Sequence, residues 1–192
     1  MTRATRAAGL AAGLAAALAA ACGASQNPAR PLDAIGADGA FLGETLGERF
    51  TPDDDRFRAT DRAGRWELRE QVTIGGRPVD TVTFHEDDGV LERVRLEIAV
   101  RGEQASEELE AWTRELCAAL EAQPSDFTPS PLGTPDPDAP EDWDPVITEH
   151  TDCDAERDGL RYRIRQQTNS ASDFRNASLA ITLTPAASGQ GE

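Results

Sequence analysis

Val94-Arg95-Leu96-Glu97-Ile98-Ala99-Val100 alternates apolar residues with polar or small ones without a break, and this period of two decides the fold class. Successive side chains of a strand point to opposite faces, so Val94, Leu96, Ile98 and Val100 line one face and need a cover, while Arg95 and Glu97 meet water. Upstream, Asp88-Gly89 supplies a hairpin turn, and Val82 and Phe84 form the strand before it. Trp66, Leu68, Val72 and Ile74 share one parity, interrupted by Glu70, and Gly75-Gly76 follows; this predicts a first strand from Trp66 to Ile74.

Downstream, the period changes. Leu109, Trp112, Leu116 and Leu120 recur at spacings of three and four, one apolar stripe of a helix predicted over Ser106 to Ala122. Ser106 is placed to cap it, Glu107 and Glu108 sit at its positive end, and Pro124 lies just past its finish. Three more strands follow: Val146 to Cys153, Leu160 to Gln167 with Leu160, Tyr162 and Ile164 on one parity, and Ala177 to Leu183. The expected fold is α+β, an antiparallel sheet of about six strands in βββ-α-βββ order with one amphipathic helix packed on it.

The predicted domain occupies residues 41–185, interrupted by a Pro/Asp-rich loop at about 123–145 that carries an isolated Trp143. Residues 186–192 read as a disordered tail. Ahead of the domain, Arg3 and Arg6 precede an uncharged Ala/Leu/Gly run from Ala7 to Ala21, the pattern of a signal peptide over residues 1–21. As a helix that run would span only ~22 Å at ~1.5 Å per residue, short of a ~30 Å hydrocarbon core. Residues 22–40, small, polar and punctuated by Gly and Pro, read as a flexible tether.

Leu18-Ala19-Ala20-Ala21-Cys22 resembles the lipobox of bacterial lipoproteins, with Ala19 where leucine is usual. The resemblance implies lipidation of Cys22, a lipid anchor and a place in the cell envelope; Gly23 is not the aspartate of an inner-membrane retention signal, which favours the outer membrane. Ala19-x-Ala21 also fits ordinary signal-peptidase cleavage, whose product would be secreted or periplasmic. With Cys22 assigned to the lipid, Cys117 and Cys153 remain to pair as a disulfide in an oxidising compartment.

The 192-residue chain has a formal net charge of −16 and no lysine. Such a surface repels nucleic acid, so no nucleic-acid partner is expected; the expected partners are the membrane, through the anchor, and an envelope protein. Asp154, Glu156 and Asp158 with Gly159 resemble the first half of an EF-hand calcium loop, but Arg165 stands where the bidentate Glu belongs, and an acidic hairpin turn is the competing reading. His85 and His150 would make a metal site with a carboxylate only if their strands met. Arg161, Arg163 and Arg165 share one parity of one strand, a basic stripe able to receive an anion or partner, or to pair with carboxylates of neighbouring strands. No catalytic motif and no cofactor-binding motif occurs. These observations favour a binding or structural domain, with an exported hydrolase-like enzyme built from dispersed residues, or a calcium-stabilised module, as the alternatives.

Overall fold

The computed structural model describes residues 40–126, 129–131 and 146–186. The signal segment, Cys22, the tether up to residue 39, most of the 123–145 loop including Trp143, and the tail beyond Ala186 lie outside the described residues.

The chain enters through a small hairpin, β1 (Ala40–Phe41) with β2 (Glu44–Thr45), and joins the sheet at β3 (Phe57–Ala59) and β4 (Arg65–Leu68). A second small hairpin, β5 (Thr73–Ile74) with β6 (Arg77–Pro78), precedes β7 (Thr81–Asp87) and β8 (Val90–Arg101). Helix α1 (Glu103–Ala119) follows at once. Two short strands, β9 (Ser125–Asp126) and β10 (Ser130–Pro131), then run beside β11 (Ile147–Arg157), which leads into β12 (Leu160–Ala171) and β13 (Phe174–Pro185). The spatial order is β10-β11-β12-β13-β8-β7-β4-β3, antiparallel throughout, with β9 also on β11.

The architecture is therefore antiparallel sheet with one helix, but two expectations need correction. Eight strands lie along the main path rather than about six, and the order is not βββ-α-βββ. The expected first strand splits: β4 ends at Leu68, and Thr73–Ile74 departs into the β5–β6 hairpin, so Glu70 marks a break in the strand rather than a blemish in its pattern. Strand β3, with only Phe57 buried among its three residues, is too short to show a period. The helix also starts three residues early. Gly102, with φ of 95°, turns the chain directly out of β8 and stands at the N-cap, while Ser106 is buried in the first turn with its hydroxyl donating to the Gly102 carbonyl.

Both Asp-Gly pairs turn in the left-handed region at both residues: Asp88 and Gly89 at φ of 49° and 77°, Asp158 and Gly159 at 51° and 75°. This is the geometry a two-residue hairpin needs. It fixes the registers of β7–β8 and β11–β12, and hence which side chains share a face.

One face is the core. Cys153, Ile164, Ile181, Leu96 and Val82 lie in one register row across five strands, and Tyr162, Leu183, Val94 and Phe84 in the next; all are buried. Leu109, Trp112, Leu116 and Cys117 of α1 cover the β11, β12, β13 and β8 part of that face. Over β7, β4 and β3 the cover is aromatic: the Phe84 ring meets Phe57 edge-on at 5.0 Å and Phe50 in a stack at 5.8 Å, with Phe41 at 6.2 Å. Cys117 and Cys153 form a disulfide that ties the last turn of α1 to β11.

Candidate functional site

Among the described residues no element covers the opposite face of the sheet, and its composition follows from the same alternation. Each residue whose neighbours along the strand enter the core stands here. One row carries Arg65, His85 and Arg93 on β4, β7 and β8. The next runs Arg58, Glu67, Thr83, Arg95, Thr182, Arg163 and Asp154 across seven strands. Beyond it come Thr81, Glu97, Ala180, Arg165 and Asp152, then Ala99, Ser178, Gln167 and His150. A chain with 35 acidic residues thus gathers arginines from β4, β8 and β12 onto one surface.

From Ser178 to Thr184 strand β13 contributes only short side chains to this face, Ser178, Ala180, Thr182 and Thr184, and lies between the arginine-bearing β8 and β12. The result is a shallow trough with a small-residue floor and guanidinium walls. Two depressions occupy it. One, of about 340 Å³, is lined by Arg93, Arg161, Arg163, Thr182 and Thr184. The other, of about 540 Å³, includes Arg95, Arg101, Arg165, Gln167, Ser178 and Ala180, together with the carboxylates of Asp80 and Glu97.

Neutralisation along the trough is uneven. Arg165 grips Asp152 with Nη2 at 2.8 Å and Nε at 3.1 Å, and that hydrogen-bonded carboxylate raises its pKa above the ordinary arginine value. Arg95 pairs with Glu97 at 2.7 Å. Arg163 reaches Asp154 at 3.0 Å, and Arg161 shares the same carboxylate at 3.9 Å. Among the described residues, no carboxylate oxygen lies within 4.0 Å of a side-chain nitrogen of Arg65 or Arg93. His85, between them, records the resulting field: partial burial, reinforced by Arg65, Arg93 and Arg95, lowers its pKa to about 4, so it is neutral at pH 7.

The basic stripe read from the sequence, Arg161, Arg163 and Arg165, lies in this trough as one wall. The other wall, Arg93, Arg95 and Arg101, was not picked out, because nothing in the sequence places β13 between β8 and β12. His85 and His150 stand on β7 and β11, with three strands between them, so the sheet keeps them more than roughly 19 Å apart at ~4.8 Å per strand. Asp154 and Glu156 occupy the regular end of β11, and Asp158 the turn. The acidic triplet thus forms a strand end and hairpin, with Asp154 engaged by arginines, not a loop wrapped around a cation. Among the described residues no three His, Cys, Asp or Glu side chains form a group able to hold a metal ion, and no helix is long and apolar enough to cross a membrane.

Comparison of the chain with protein-family models, with curated proteins and with solved structures finds no match. The functional reading therefore rests on residues and geometry.

Proposed function

We propose that this chain is a cell-envelope lipoprotein, tethered to a membrane through an acylated Cys22, whose single α+β domain acts by binding at the open face of its sheet. The observation that carries the reading is the Cys117–Cys153 disulfide. It accounts for two of three cysteines, suits an oxidising compartment, and leaves Cys22 alone at the end of an export-signal pattern. A face dense in guanidiniums on an acidic chain supports binding over a purely structural role, since exposed ion pairs add little to stability.

The test is intact mass of the protein recovered from native membranes, with Cys22→Ala alongside. The reading expects a mature N-terminus at Cys22 carrying the mass of acyl chains, with modification and membrane association lost together in the variant. An unmodified N-terminus near Cys22 in the soluble fraction would replace the tether with secretion.

A further inference from the structure

We propose that Arg93, Arg161 and Arg163, with the hydroxyls of Thr182 and Thr184, form a binding site for a phosphate monoester dianion at one end of the open trough. The inference rests on the reading of the open face as the binding surface and names the ligand chemistry of that face.

The depression these residues line holds three guanidiniums, two hydroxyl-bearing side chains and no carboxylate in its wall, within about 340 Å³. The carboxylate that meets two of these arginines, Asp154, stands outside it on β11, the far side of β12. Asp154 cannot neutralise the set, being shared by Arg161 and Arg163, and Arg93 has no carboxylate at all within 4.0 Å among the described residues. Arg93 and Arg161 rise from strands two apart, roughly 9.6 Å at ~4.8 Å per strand, so guanidiniums leaning inward from both walls can reach one anion held between them.

The chemistry selects the anion. A planar guanidinium donates two parallel N–H bonds to a pair of oxygens, and a tetrahedral phosphate offers such pairs to more than one arginine, which a single carboxylate cannot. Thr182 and Thr184 rise from the floor between the walls, and their hydroxyls can donate to an oxygen facing the sheet. Two negative charges match the uncompensated charge better than one. The other end of the trough is unsuitable, because Asp80 and Glu97 stand in its lining and Arg165 is held by Asp152. The His85 pKa, lowered first by burial and then by Arg65, Arg93 and Arg95, is in keeping with positive charge at the Arg93 end.

The experiment titrates the intact chain at low ionic strength with inorganic phosphate and with glycerol 3-phosphate, following heat and the His85 ring resonances. In a parallel arm, vesicles of phosphatidylcholine with phosphatidic acid are sedimented with the chain. Saturable binding is expected that weakens at least tenfold in Arg93→Gln and survives in Arg58→Gln, a change on the same face outside the depression. The same titration should raise the His85 pKa from about 4 toward its ordinary 6.5 as the anion offsets Arg65, Arg93 and Arg95. Arg93-dependent binding of inorganic phosphate or glycerol 3-phosphate would identify a soluble ligand; Arg93-dependent vesicle binding that inorganic phosphate displaces would identify a lipid headgroup, and either supports the site. Absence of saturable binding to all three probes, equal losses in Arg93→Gln and Arg58→Gln, or equal displacement by acetate would overturn it. None of these outcomes bears on the acyl mass at Cys22, so the ligand and the tether fail separately.

Discussion

The two halves of the covered face solve one problem by different means. Over β11, β12, β13 and β8 a regular helix presents an apolar stripe and is fixed to the sheet by a disulfide. Over β7, β4 and β3 irregular chain delivers Phe41, Phe50 and Phe57 onto Phe84. The helical half also buries polar groups: Gln166 donates to Thr168, and Thr113 donates to the Leu109 carbonyl at 2.8 Å. The aromatic half is held by backbone hydrogen bonds such as Phe50 N–H to the Gly89 carbonyl and by the four rings, each ring pair adding ~0.5–1.5 kcal/mol beyond area burial. The difference teaches that a helix can hold its place with an apolar stripe and a covalent bond, even with the Trp112 indole N–H buried without a partner among the described residues, whereas an irregular cover depends on large side chains meeting in specific orientations.

The sharpest way to break the aromatic half is Phe84→Ala, which removes the ring that the other three share. A loss of ~3–5 kcal/mol is expected, measured by denaturant unfolding. On the helical side, replacing Cys117 and Cys153 together by serine opens a bridge between residues 36 apart in sequence. Roughly 3–4 kcal/mol should be lost on the chain-entropy model, read in the same assay. If the halves are energetically separate, the two losses will add in the triple variant within ~0.5 kcal/mol; a larger departure would show that helix and rings support one another.

Gly64→Ala comes next. At Gly64 the backbone has φ of +70°, and a Cβ would stand 2.6 Å from the Glu86 carbonyl oxygen, so the β4–β7 junction must shift. The expected loss is ~1–3 kcal/mol, confined to the aromatic half, and hydrogen exchange should quicken in β4 before β12. Asp152→Asn, on the open face, should cost ~1–2 kcal/mol, because Arg165 is well exposed while the Asp152 side chain that it grips is only 14% exposed.

Acidity gives a further comparison. The His85 pKa is lowered to about 4 in the folded chain against 6.5 when unfolded. The unfolded chain therefore takes up a proton first as pH falls, so this residue's contribution is complete above pH 6.5 and declines between 6.5 and about 4. His85→Gln should flatten the stability profile in that window, as seen by thermal melts at stepped pH.

Legibility from the sequence divides along the same line as the two halves. Strand β8, helix α1 and the two Asp-Gly turns announce themselves because period and turn chemistry are local. Phe41, Phe50 and Phe57 share no period, so their convergence on Phe84 leaves no pattern to read. Glu70 was visible as an interruption, but a strand that pauses and a strand that ends look alike over nine residues. On the open face, Arg161, Arg163 and Arg165 could be read as a stripe because one strand carries them. Arg93 comes to face them only once β13 has been inserted between β12 and β8, a pairing between segments more than 70 residues apart.

The bridge between Cys117 and Cys153 straddles the Pro/Asp-rich stretch from 123 to 145. A protease cut within that stretch would yield two pieces that migrate together without reductant and part with it. Lengthening the stretch would add little closure cost, about 0.6 kcal/mol per doubling of a loop, and none of it would loosen the seam. A cut or an insertion anywhere between the two cysteines leaves the chain's two ends covalently joined, so a reporter placed there would stay tied to both halves.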